Sequence, residues 1–157
     1  MRFQISGLPI DPFVRYFNMN DQELSAHHAR RVVADSKPGF PCRVSLIDAE
    51  PGESVILLHY SHHAVDGPYQ SSGPIYVREN AIPANVDINE LPPVAQTRLM
   101  SARAYNADGW MLASGVAEGP KLIELIEQLF ANEAVVYLHL HNAKPGCYSC
   151  RVDRLPA

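Results

Sequence analysis

Ala134-Val-Val-Tyr-Leu-His-Leu-His-Asn-Ala-Lys-Pro-Gly-Cys-Tyr-Ser-Cys-Arg-Val-Asp-Arg154 is the stretch on which the fold turns, and it holds two of the seven histidines and two of the three cysteines. From Val135 to His141 apolar and polar residues alternate with a period of two. A strand of that pattern puts Val136, Leu138 and Leu140 on one face and Tyr137, His139 and His141 on the other. Pro145-Gly146 supplies turn chemistry, and Cys147 to Arg154 is long enough to return as an antiparallel partner. With residues 143–146 as the loop, His139 lies opposite Cys150 and His141 opposite Tyr148. A slip of one residue carries Cys150 to the other face.

Two imidazoles and a thiol on one face form a donor set that suits zinc or iron, so His139, His141 and Cys150, with Cys147 beside them, are the candidate metal ligands. The Cys147-x-x-Cys150 spacing does not make a thioredoxin-type site. That chemistry needs its first cysteine at a helix N-terminus, and only seven residues follow Cys150. Nor is it a zinc knuckle, since the remaining cysteine is a lone Cys42.

Working outward, Pro120 opens a segment in which Leu122, Leu125, Ile126, Leu129 and Phe130 recur on one helical face while Lys121, Glu124, Glu127 and Gln128 face water. The spacing predicts a long amphipathic helix over residues 120–131. Before it, Arg98 to Asn106 alternates, Asp108-Gly109 is a favoured hairpin turn, and Trp110 to Ala117 returns. Near the N-terminus, Asn20 with Glu23 three residues on resembles a capping box opening a short helix. Arg30 to Ala34 fits either helix or strand. Cys42 to Ile47, the Glu50-Pro51-Gly52-Glu53 turn and Ser54 to Tyr60 predict a further hairpin. The fold class is therefore α+β: a mainly antiparallel sheet built from hairpins, with the long helix and the short N-terminal helix packed on it.

Residues 61–74, Ser-His-His-Ala-Val-Asp-Gly-Pro-Tyr-Gln-Ser-Ser-Gly-Pro, form a long irregular segment, and loops of that length in compact domains are commonly functional or disordered. His62, His63 and Asp66 are candidate bases or ligands there. The amides of Ser71, Ser72 and Gly73 offer an anion cradle, with Arg78 just beyond and Arg43, Arg103 and Cys42 as further candidates for a ligand pocket.

A chain of 157 residues fits one domain, 1–157, with a core large enough to need no staples. A net charge of −4 gives no basic footprint for nucleic acid or an acidic membrane. There is no apolar run of the roughly 18 residues a membrane span needs and no secretory h-region, so a cytoplasmic location is expected. Three cysteines, an odd number, fit reduced thiols.

Three segments together resemble a known family. Pro38-Gly39-Phe40-Pro41-Cys42-Arg43-Val44-Ser45-Leu46, Ser72-Gly73-Pro74-Ile75-Tyr76-Val77-Arg78, and His139-Leu-His141-Asn-Ala with Gly146-Cys147-Tyr-Ser-Cys150-Arg151 are similar to the bacterial family catalogued as domain of unknown function 1203. The likeness spans nearly the whole chain. It implies a small bacterial single-domain protein and carries no substrate, cofactor or catalytic residue with it. Several functions are then open: foremost a ligand or metal pocket formed by the final His-x-His/Cys-x-x-Cys hairpin and the 61–74 loop, then a binding module for a small anionic ligand, a cofactorless enzyme using Cys42 or a histidine, and a structural homodimer in which Tyr137 and Tyr148 serve an interface.

Overall fold

In the computed structural model, which describes residues 1–156, the final hairpin lies inside a five-stranded antiparallel sheet. The chain begins with β1 (Phe3–Ser6), passes a 3-10 turn (Asp11–Phe13) into α1 (Val14–Phe17) and α2 (Asp21–Ala26), and continues as β2 (Ala29–Val33), β3 (Ser54–His63) and β4 (Ser71–Arg78). It then forms α3 (Pro93–Gln96), β5 (Leu99–Tyr105), β6 (Met111–Glu118), α4 (Lys121–Phe130), β7 (Tyr137–Asn142) and β8 (Tyr148–Arg154). The larger sheet has the order β1-β8-β7-β5-β6, and β2-β3-β4 makes a second antiparallel sheet.

The α+β class holds, with two sheets rather than one. Each has its own core. Leu138, Leu140, Met100, Ala102, Val152 and the buried face of α4 form the larger core, whereas Phe13, Leu24, Ile56, Leu58, Ile75 and Val77 fill the other. α4 covers β5 and β6, and its Leu125 sits so close to β6 that a Cβ added at Gly115 would meet Leu125 Cδ1 at 2.6 Å. The helix is shorter than the expected long element over 120–131. Pro120 and Ala131 cap ten helical residues, the most of any helix among the described residues.

The N-terminal capping box forms as expected, with Asn20 Oδ1 accepting from the Glu23 N–H and Glu23 Oε2 accepting from the Asn20 N–H. Its helix, α2, packs on β2 of the smaller sheet, not on the sheet that α4 covers. The ambiguous segment from Arg30 resolves as strand, β2, which ends at Val33. The hairpin predicted from Cys42–Ile47 is replaced. That segment makes only isolated bridges, Pro41 to Asp48 and Cys42 to Tyr76, because Leu46 adopts a φ of 54° and closes a turn through its N–H to the Cys42 carbonyl. β3 pairs instead with β2 and β4. The predicted irregular loop over 61–74 shrinks to residues 64–70, since β3 runs on to His63 and β4 starts at Ser71. No helix among the described residues is long and apolar enough to cross a membrane.

Candidate metal centre

The alternation in β7 does what a period of two requires. Leu138 and Leu140 enter the core, and Tyr137, His139 and His141 share the opposite face, all buried. That face is covered by the end of β3. Pairing there is regular from Val55 to Tyr60 and then shifts before His63, so the strand irregularity delivers two consecutive histidines to the β7 side. His62 reaches His141 with ring centroids 5.1 Å apart and His139 at 6.2 Å, while His63 meets His139 at 5.0 Å. One ring nitrogen from each of His62, His139 and His141 lies within 4.8 Å of the other two. Tyr148 stacks on His62, with centroids 5.1 Å apart and planes 9° from parallel.

The hydrogen bonds divide the four histidines of this region by role. His63 is fully used. Its Nδ1 donates to the Tyr69 carbonyl at 2.8 Å, which leaves Nε2 to accept from the Tyr137 hydroxyl, also at 2.8 Å. His141 Nδ1 donates to the Gly146 carbonyl at 3.0 Å, which fixes the tautomer and leaves a lone pair on Nε2. That Nε2 is buried and has no partner. His62 Nε2 lies 3.2 Å from Ser71 Oγ, and its Nδ1 is likewise buried without a partner, as is His139 Nδ1. Buried polar atoms are normally hydrogen-bonded, so three orphaned nitrogens in three converging rings is an unusual concentration.

Burial, then the neighbouring His63, Arg103 and His59, brings the His62 pKa down to about 4. For His139, burial is again the main cause, followed by His63, His141, Arg151 and His62, and the value falls to about 2. His141 is lowered to about 4 by burial, against the opposing bond to Gly146 and with Arg103, His62 and Arg43 adding to the fall. All three rings are therefore neutral around pH 7, the state in which imidazole binds a metal.

Cys150 is not on this face. Opposite His141 the second strand carries Tyr148, but opposite Leu140 it carries Cys150, so Ser149 is an extra residue and the register shifts at that point. The bulge turns Cys150 into the core beside Leu140, fully buried, where burial pushes its thiol up to about 12 despite Ser149 and Arg43. Cys147 also lies away from the trio. It is half-buried, and its Sγ accepts from Arg43 Nη2 at 3.1 Å and Asn142 Nδ2 at 3.4 Å.

The other candidates from the sequence are dispersed. Asp66 is exposed in the β3–β4 turn, and no carboxylate joins the trio among the described residues. The backbone of Ser71 and Gly73 pairs with His63 and Tyr60 in the smaller sheet, and the Ser72 hydroxyl meets His59 Nε2 at 2.9 Å, so no anion cradle is assembled. Arg78 is occupied by Glu53, its Nη2 and Nε donating to one carboxylate oxygen at 2.5 and 3.1 Å. Cys42 is buried, its sulfur accepting from the Arg78 N–H at 3.3 Å. Arg43 is buried as well, with Nε donating to the Tyr148 carbonyl at 2.7 Å.

Ser71 and Arg103 were expected at an anion pocket and lie instead beside the histidines, and the Gly146 carbonyl was not expected at any site. Arg103 had a signal: it alternates on β5 and becomes the cross-strand partner of His139. A backbone carbonyl has none.

No curated protein and no solved structure matches the chain. A family model described as protein of unknown function (DUF1203) matches residues 39–154, a span that includes all three histidines and most of the chain, and the protein belongs to that family.

Proposed function

We propose that this protein binds a divalent transition metal, zinc in the first instance, through His62, His139 and His141. The observation that carries the reading is that three imidazoles from two sheets, each with a buried ring nitrogen lacking a partner, bring one nitrogen apiece within 4.8 Å of the others. Three neutral nitrogen donors are a ligand set found in catalytic zinc sites, where zinc–nitrogen distances are about 2.0–2.1 Å and a fourth position holds water or substrate. His141 has the outer-shell support such ligands use, a carbonyl on its other nitrogen, and His62 has a hydroxyl there. Arg103, the cross-strand partner of His139, brings positive charge to bear on His62 and His141, which favours hydroxide or a small anion at the fourth position. The chemistry that such a centre supplies is polarisation of an oxygen and activation of water, the basis of metal-assisted hydrolysis or hydration.

The test is elemental analysis of the purified protein, followed by zinc titration of chelator-treated material. Near-stoichiometric binding is expected, lost in His62→Ala, His139→Ala and His141→Ala and retained in Cys147→Ser and Cys150→Ser, with circular dichroism confirming that each variant is folded. Absence of zinc, cobalt, nickel, copper and iron after purification, together with no binding of any of them at micromolar concentration, overturns the reading.

A further inference from the structure

A second cluster lies on the other side of the β7–β8 turn, and none of the three histidines belongs to it. A cavity of about 750 Å³ opens between that turn and the smaller sheet. Leu57, Pro74 and Tyr76 contribute to its walls, Arg98, Glu118 and Lys144 are among its charged lining, and Arg43, Asn142 and Cys147 form one polar group within it. Arg43 is only 2% exposed. A buried guanidinium ordinarily meets a carboxylate, yet among the described residues no carboxylate oxygen lies within 4 Å of it. Two of its nitrogens donate to the carbonyls of Tyr148 and Pro41, and the third points at Cys147 Sγ, 3.1 Å away.

Asn142 adds a second donor. Its Nδ2 reaches the same sulfur at 3.4 Å, and its Oδ1, on a side chain with 4% exposure that lines the cavity, is buried without a partner. The sulfur therefore faces a cation and an amide where negative charge must be held, with an unused acceptor next to it. Of the three thiols only Cys147 combines this setting with access, since Cys42 and Cys150 are fully buried.

We propose that Cys147 is a nucleophilic thiol whose substrate is a hydroperoxide carrying an apolar substituent, held in this cavity with its O–O bond against the sulfur. Sulfur attacks the terminal oxygen: an S–O bond forms as the O–O bond breaks. Cysteine is oxidised by two electrons to the sulfenic acid, and the hydroperoxide is reduced to the alcohol, whose departing oxygen takes the proton that the thiol gives up. Asn142 Oδ1 accepts the hydroxyl of the incoming hydroperoxide and then that of the sulfenic acid. This step needs no activated water, which suits a cavity whose floor holds two donors and one acceptor. The apolar walls select the organic substituent over hydrogen peroxide.

The test uses the full chain, reduced and held in chelator so that metal chemistry is absent. It is treated with limiting cumene hydroperoxide or hydrogen peroxide, trapped with dimedone and mapped by mass spectrometry. One adduct is expected, on Cys147, forming about tenfold faster with cumene hydroperoxide than with hydrogen peroxide and about tenfold faster than in the urea-unfolded chain. Asn142→Ala slows it, and 2-phenyl-2-propanol, the product alcohol, competes; the competition arm does not depend on any variant folding. Equal rates in folded and unfolded chain, or labelling spread over Cys42 and Cys150, overturn the proposal. Equal rates for the two peroxides overturn its substrate class.

Discussion

Replacing His139 by leucine should make the metal-free protein more stable and the zinc-loaded protein less so. His139 is 3% exposed, and its Nδ1 has no partner. The ring is enclosed by His63 and Tyr148 with centroids at 5.0 Å and by Tyr105 and Tyr137 at 5.4 Å. A buried polar atom left unsatisfied costs about 1–3 kcal/mol, and leucine removes that cost. A volume-conserving exchange loses up to about 1.5 kcal/mol of packing, part of it the aromatic contacts. The balance is a gain of about 1 kcal/mol without metal, or roughly 2–4 °C in Tm for a chain of this size. With free zinc at a hundred times its dissociation constant, the parent gains about 2.7 kcal/mol, roughly 5–11 °C, and the variant gains nothing through this site. Thermal melts in chelator and in zinc should therefore rank the two proteins in opposite orders. A variant that melts lower in chelator and still rises with zinc would falsify the reasoning, because His139 would then be a satisfied core residue.

Three further outcomes follow from neighbouring contacts. Tyr137→Phe removes the hydroxyl that His63 Nε2 accepts from, so it should cost about 1–2 kcal/mol in urea unfolding while zinc stoichiometry is unchanged; loss of zinc would make His63 a ligand. Burial alone would raise the Asp48 pKa, but the two-pronged bond from Arg98 and the Gly39 N–H outweigh it and hold the carboxyl below its ordinary range. Below about pH 4 the unfolded chain thus binds the extra proton, so this pair's stability is present above that pH and lost as pH falls through the depressed value. Asp48→Asn, which strands the Arg98 charge, should lower stability at pH 7 by about 3 kcal/mol and flatten the acid limb of a stability–pH curve; an unchanged acid limb would refute it. Gly7→Ala sets a Cβ 2.5 Å from the Val44 carbonyl oxygen and 2.9 Å from that of Arg43, both backbone atoms, and should cost about 1–3 kcal/mol by denaturant unfolding. A neutral result would mean that β1 can back away from the segment carrying Arg43.

What could be read in the sequence was local. The Asp108-Gly109 hairpin, the apolar face of α4 and the Asn20 capping box depend on residues within a turn or two of one another, and each formed, though the helix is shorter and the turn wider, over residues 106–110, than expected. The His139-x-His141 pair was legible for the same reason, because a period of two determines the face without reference to any partner. Its third companion was named as a residue but misplaced in kind. His62 sits in a polar, glycine- and proline-rich tract that resembles a loop, while a strand irregularity there carries it across to another sheet. Cys150 failed through register: Ser149 adds one residue, and nothing in Tyr-Ser-Cys-Arg marks which position bulges. The burial of Arg43 was invisible, since composition places arginine outside and only long-range packing shows what encloses it.

The two strands that supply the trio lie roughly 80 positions apart in the chain, and loop closure over such a distance is costly until both sheets exist. An ion held there stabilises only a chain in which both sheets have met, so zinc should slow unfolding more than it speeds refolding, which rates of both measured with and without zinc would check. On that reading the meeting of β3 and β7 is a latch between the two sheets, and metal is what would hold it shut.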